Sequence, residues 1–154
     1  MTARIPACVC LLLTLLLAGC TPFQRESPLP STQGSVLSQA AVGLVGTPYR
    51  YGGADPAGFD CSGLVSYVHR QAGISVPRTA AQQFAAAKPV AARDLQPGDL
   101  VFFRIDSRDV SHVGVYVGER RFVHAPQRGG RVNVANLDDE YFRKRLAGTG
   151  RFWR

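Results

Sequence analysis

The 154-residue chain is short of thiols, of room and of long apolar runs. It has four cysteines, but Cys8 and Cys10 fall in the first nineteen residues and Cys20 directly follows them, so only Cys61 remains for a folded domain. A disulfide within that domain is therefore excluded, and a lone thiol is either buried and inert or kept for reactivity. Residues 20–154 suit one compact domain and scarcely allow a second. No internal repeat or low-complexity block interrupts it. Cys61 with two histidines and no nearby carboxylate spacing makes a poor zinc set, so neither metal nor other cofactor is expected. The net charge of +7 would favour polyanionic surfaces. Its arginines are dispersed, however, and neither a zinc-finger spacing nor an aromatic RNA-binding signature accompanies them, so a nucleic-acid partner is not expected.

What is present begins with a leader. Arg4 gives a positive start, Val9 to Leu17 form an apolar run too short for a comfortable membrane span, and Leu17-Ala18-Gly19-Cys20 closes it. Residues 1–19 are expected to be a signal peptide. The four-residue ending resembles the lipobox of bacterial lipoproteins, which implies that Cys20 is lipidated and becomes the new N-terminus. Thr21, where an Asp would favour the inner membrane, points to an outer-membrane anchor facing the periplasm. Residues 20–34, rich in Pro, Ser, Thr and Gln after the cysteine, read as a flexible tether, and the domain is placed at 35–154.

Within the domain, apolar positions at helical spacing predict a helix from Ser35 to Val45, ended by Gly46 and Pro48. A second helix opens at Asp60-Cys61-Ser62 and runs to Gly73, and an Ala-rich third spans Thr79 to Ala87. Beyond Pro89 the pattern changes to short strands at Leu100–Phe103, Val113–Val117, Phe122–Ala125, Arg131–Ala135 and Gly148–Trp153, separated by Gly and charged turns. Helices followed by strands predict an α+β fold with N-terminal helices packed on an antiparallel sheet.

The spacing also places chemistry. A helix N-terminus stabilises a thiolate through its free N–H groups and positive dipole end, and Cys61 has that place. Asp60 beside it opposes ionisation, so a basic partner is wanted. His112, at the start of a strand in Ser111-His112-Val113, can face the second helix and form an ion pair or hydrogen bond with Cys61. His124 lies on the next strand, where it can orient His112 as the third member of a triad. His69, inside the second helix, reads as a surface or packing residue.

An ordered series of motifs carries a resemblance. Gly46-Thr47-Pro48-Tyr49-Arg50-Tyr51-Gly52-Gly53, Gly58-Phe59-Asp60-Cys61-Ser62-Gly63-Leu64-Val65, Pro77-Arg78-Thr79, Pro97-Gly98-Asp99-Leu100-Val101-Phe102-Phe103, Ser111-His112-Val113-Gly114-Val115-Tyr116 and Val123-His124-Ala125 together resemble the NlpC family of bacterial cell-wall peptidases. The resemblance implies a papain-like core with Cys61 as nucleophile, His112 as base and His124 as polar third residue. It implies that Tyr49 helps hold the oxyanion and that Asp60 and Ser62 help hold the amino end of a stem peptide; Asp60 is equally a helix N-cap. Arg78 is open between a substrate carboxylate and a structural ion pair. The implied substrate is a peptidoglycan stem peptide, cut between D-Glu and meso-diaminopimelate or at the diaminopimelate cross-link. An amidase or acyltransferase on the same nucleophile, or a non-catalytic wall-associated scaffold, are the alternative readings.

Overall fold

The computed structural model describes residues 32–127 and 130–154. The expected signal peptide, the expected lipidation site Cys20 and most of the expected tether lie outside the described residues. The last tether positions do not: helix α1 spans Thr32–Val42, so it starts three residues before the expected Ser35 and stops before Gly43. It is followed by a short hairpin, β1 (Ala54–Asp55) with β2 (Gly58–Phe59), then by α2 (Cys61–Gln71) and α3 (Ala80–Ala86). Strands β3 (Lys88–Pro89), β4 (Leu100–Phe103), β5 (His112–Gly118), β6 (Arg121–His124) and β7 (Asn133–Asn136) come next, then a single turn α4 (Glu140–Arg143) and β8 (Leu146–Arg151).

Local chemistry accounts for the helix ends. Asp60 is extended (φ −90°, ψ 174°) and accepts from the Gly63 N–H, the ordinary N-cap bond. Thr79 and Gln82 form a reciprocal capping box at α3. Gly73, at φ 73°, provides the left-handed turn beyond α2. The β5–β6 hairpin turns on Glu119 and Arg120, both at positive φ, the mirror-image turn that suits the twist of paired strands.

The six long-range strands form one antiparallel sheet ordered β3-β8-β4-β5-β6-β7. Central β4 reads Leu-Val-Phe-Phe and is fully buried on both faces, because each face has its own apolar layer. Leu100 and Phe102 meet Leu37, Leu64, Val65 and Val68 of the helices, with Val113, Val115 and Val123 from neighbouring strands. Val101 and Phe103 join Phe122, Leu137 and Phe142 on the opposite side. Each such side chain contributes roughly 2 kcal/mol of burial. The α+β arrangement is thus as expected, with α2 lying against β5. The sequence reading missed the β1–β2 hairpin, β3 and α4, began β7 two residues early and ended it one early, and placed β8 two residues late.

Close approach of backbones sets one glycine. A Cβ on Gly63 would lie 1.9 Å from the Gly53 carbonyl oxygen, so the first turn of α2 can seat against the 50–53 loop only without a side chain there. This contact fixes where Cys61 sits.

Candidate active site

Cys61 is the first residue of α2, His112 the first of β5 and His124 the last of β6. Strand pairing carries the two histidines to the same end of the sheet, where Nε2 of His112 lies 2.8 Å from Nδ1 of His124. The rings are perpendicular, with centroids 5.0 Å apart. Cys61 and His112 both line a groove of about 520 Å³, together with Tyr49, Asp60, Ser62, Arg78 and Gln127. The structure therefore brings together all six residues singled out in the domain, and Arg78 with them.

The expected direct contact between Cys61 and His112 is not formed: no hydrogen bond joins them, and the thiol donates instead to the Ser111 carbonyl at a long 3.9 Å. Charge explains why an ion pair is not the resting state. Burial, then the Asp60 carboxylate, push the Cys61 thiol up, against backbone N–H groups of Val113, Ser62 and Cys61 itself. Burial, then its histidine neighbour, push His112 down to about 3, and burial takes His124 down to about 4. The resting site is a neutral thiol beside neutral imidazoles.

Asp60 is the helix N-cap of α2 and faces the groove. Its Oδ1 caps Gly63 at 2.7 Å and accepts from Ser62 Oγ at 3.2 Å, while Oδ2 accepts from the Gly52 N–H at 3.0 Å. Arg78 closes the cluster: its guanidinium reaches Oδ1 at 3.0 Å, Oδ2 at 2.6 Å and Ser62 Oγ at 3.0 Å. Arg78 is thus committed to an ion pair at the wall of the groove, and that pair holds the Asp60 carboxyl below its usual range in spite of burial. Tyr49 lines the groove, and burial followed by Cys61 and Asp60 pushes its phenol up, so its hydroxyl stays a donor. Among the described residues, no group of three or more His, Cys, Asp and Glu side chains is placed to hold a metal.

Two supporting residues escaped the sequence reading. Ser111 accepts from the Ile105 N–H at 2.9 Å and donates to the Ile105 carbonyl at 2.8 Å, closing the 105–111 loop against the start of β5. Gln83, fully buried, donates to Ser62 O, Ser66 Oγ and Pro77 O and so ties α3 to α2 beneath Cys61. The only sequence signal for Gln83 is a polar residue on the inward face of an Ala-rich helix. His69 is the packing residue, and not the surface one, of its two readings: it is fully buried, with Nδ1 2.9 Å from Val65 O and its ring edge-on to Phe152.

Residues 46–151 match the NlpC/P60 family. The chain belongs to that family. It is a family of cysteine peptidases that hydrolyse peptidoglycan. The chain is 41% identical over 132 residues to a gamma-DL-glutamyl hydrolase of Bacillus subtilis, covering 84% of this chain and 32% of that protein. It is 41% identical over 112 residues to the murein DD-endopeptidase MepH of Escherichia coli, covering 70% of this chain and 41% of that one. A crystal structure of an NlpC/P60 family protein from Bacillus cereus superposes with a TM-score of 0.75 at 30% identity, over 83% of this chain and 42% of that chain. The chain therefore spans less than half the length of these relatives.

Proposed function

We propose that the chain is a cysteine endopeptidase that hydrolyses peptidoglycan stem peptides through an acyl-enzyme on Cys61. The carrying observation is the common groove: a thiol at a helix N-terminus lines it beside His112, itself hydrogen-bonded to a second imidazole. In this reading Cys61 Sγ attacks a peptide carbonyl as its proton passes to His112. The tetrahedral oxyanion is held by the Cys61 backbone N–H and the Tyr49 hydroxyl. His112 returns that proton to the leaving amine as the C–N bond breaks. It then takes a proton from water, whose oxygen attacks the thioester, and Cys61 is released as the thiol.

A second groove, about 360 Å³, continues on the far side of His112 and His124 and is lined by Ile105, Asp106, Pro126, Tyr141 and Phe142. Since His112 protonates the leaving amine, the amine half of the substrate is assigned to this side, and the acyl half to the Tyr49 and Arg78 side. The scissile bond is either that between D-Glu and meso-diaminopimelate or the cross-link at diaminopimelate. In both of these bonds the diamino acid supplies the leaving amine. The protein is further assigned to the cell envelope, lipid-anchored through Cys20 at the outer membrane and facing the periplasm.

Purified protein and its Cys61→Ala variant, incubated with sacculi, muropeptides and soluble stem peptides, test the reading by mass spectrometry of the products. New fragments made by the wild type alone support it and identify the bond. Reduced, folded wild type that cuts none of these substrates would defeat it.

A further inference from the structure

The two grooves that meet at His112 differ in charge. On the Cys61 side the formal charges are those of Asp60 and Arg78, which neutralise one another at 2.6 Å. On the far side Asp106 is the one charged residue lining the groove among the described residues, since both histidines there are neutral. Asp106 is exposed and forms no ion pair or hydrogen bond with a described residue, Arg104 and Arg108 of its own loop included. A chain of net charge +7 thus leaves one carboxylate unpaired in this groove.

Its place is held from behind. Ser111 Oγ accepts from the Ile105 N–H at 2.9 Å and donates to the Ile105 carbonyl at 2.8 Å, so the residue before Asp106 is tied to the start of the strand that carries His112. Asp106 itself has a φ of 51°, a left-handed conformation that Asp and Asn tolerate better than other side chains. Tyr141 and Phe142 line the same groove, and Phe142 is packed on Phe103 and Phe122. The groove therefore offers a methylene chain an aromatic wall and offers one cation a carboxylate.

The amine half of the proposed substrate has two forms. Its leaving amine is one of the two amino groups of the diamino acid. When the D-Glu bond is cut, the second amino group lies at the far end of the methylene chain and is a free ammonium unless it is cross-linked. When the cross-link is cut, that second amino group is already acylated by D-Glu, and the carbon bearing the leaving amine carries a carboxylate that Asp106 would repel.

We propose that Asp106 is a specificity-determining residue: its carboxylate receives the free ammonium of an uncross-linked diamino acid on the leaving-amine side, so that stems bearing this ammonium are cut in preference to those in which it is acylated. The assignment rests on the peptidase reading above and on its placing of the amine half in this groove.

The test gives the whole protein, as wild type and Asp106→Asn, a stem peptide whose distal amine is either free or acetylated, and reads the ratio of the two kcat/KM values. Asn keeps the shape and the left-handed backbone and removes only the charge. Wild type is expected to favour the free amine by about fivefold, as for an ion pair in an open groove, and the preference is expected to shrink at high salt. In Asp106→Asn the ratio falls to about one. Equal kcat/KM values for the two peptides in wild type, or a preference that survives in Asp106→Asn, would overturn the proposal and leave the peptidase reading standing. Binding covers the converse case: the same peptides are titrated into Cys61→Ala and Cys61→Ala/Asp106→Asn, and the free amine is expected to bind about fivefold more tightly only where Asp106 is present. If binding discriminates in this way but wild type cuts neither peptide, the Asp106 subsite stands and the peptidase reading fails. If wild type cuts neither and Cys61→Ala does not discriminate, both fail.

Discussion

Asp60→Asn separates two effects of one carboxylate that act in opposite directions. The substitution keeps the N-cap, because Asn and Asp cap about equally well, so the bond to the Gly63 N–H costs at most a few tenths of a kcal/mol. What is lost is the two-pronged pair with Arg78, at 3.0 and 2.6 Å. Asp60 is 14% exposed but Arg78 is 43% exposed, so solvent screens the pair and the expected loss of stability is about 1 kcal/mol. That loss depends on pH. The native Asp60 pKa lies below its unfolded value, so its stabilisation is present above the usual carboxylate range and disappears as pH falls through the folded pKa. The gap between wild type and Asp60→Asn should therefore close in acid. At the nucleophile the effect has the opposite sign: Asp60 raises the Cys61 pKa, so removing its charge lowers it. Denaturant unfolding at several pH values measures the first effect. The pH dependence of alkylation by iodoacetamide measures the second, since Cys61 is the single thiol after residue 20. An alkylation profile unchanged in Asp60→Asn, or one displaced to higher pH, would refute the electrostatic account of the site.

Other consequences follow from burial and close packing. The native His69 pKa is depressed to about 4, so the unfolded chain binds its proton first as pH falls below about 6.5; stability should drop by roughly 3 kcal/mol from this residue by pH 4, and His69→Leu should flatten the acid slope of unfolding free energy. Gly63→Ala places a methyl 1.9 Å from the Gly53 carbonyl, and a loss of about 3 kcal/mol or failure to fold is expected in thermal unfolding. Arg151→Met leaves fully buried Asp99 without the guanidinium that meets it at 2.6 and 2.7 Å, and chemical denaturation should show a loss of about 3–5 kcal/mol.

The parts of this molecule legible in its sequence are those encoded locally. Asp60 before Cys61 announces a helix start, the apolar spacing through Leu64, Val65 and Val68 gives that helix its inward face, and Leu-Val-Phe-Phe at 100–103 announces a buried strand. The β1–β2 hairpin and β3 were not legible because strands of two residues have no period, and β3 exists through pairing with the distant Gly150 and Arg151. The α4 turn carries its own Asp139 cap, yet four residues are too few to show a helical face. At the site, Cys61 and both histidines were legible. That the thiol faces Ser111 O and that both rings are neutral were not, since these follow from desolvation at the helix–sheet seam.

That seam also decides how the proposed nucleophile and base are held. Cys61 belongs to a helix and His112 to a strand, and no hydrogen bond joins their side chains. Their separation is governed instead by what packs behind them: Leu64, Val65 and Val68 of α2 on Val113 and Val115 of β5, with Gly63 against Gly53 setting the height of the helix. A shift of α2 along β5 would move the thiol from the base without breaking any polar contact between them. Close-packed interiors resist such sliding, because side chains interdigitate at near-crystalline density. The Ser111 lock on Ile105 and the Gln83 bonds to Ser62 and Pro77 restrain the two ends of the same seam through polar contacts. Alignment of Cys61 with His112 is therefore a property of the core, and truncations at Leu64 or Val113 should disturb it as effectively as changes made in the groove.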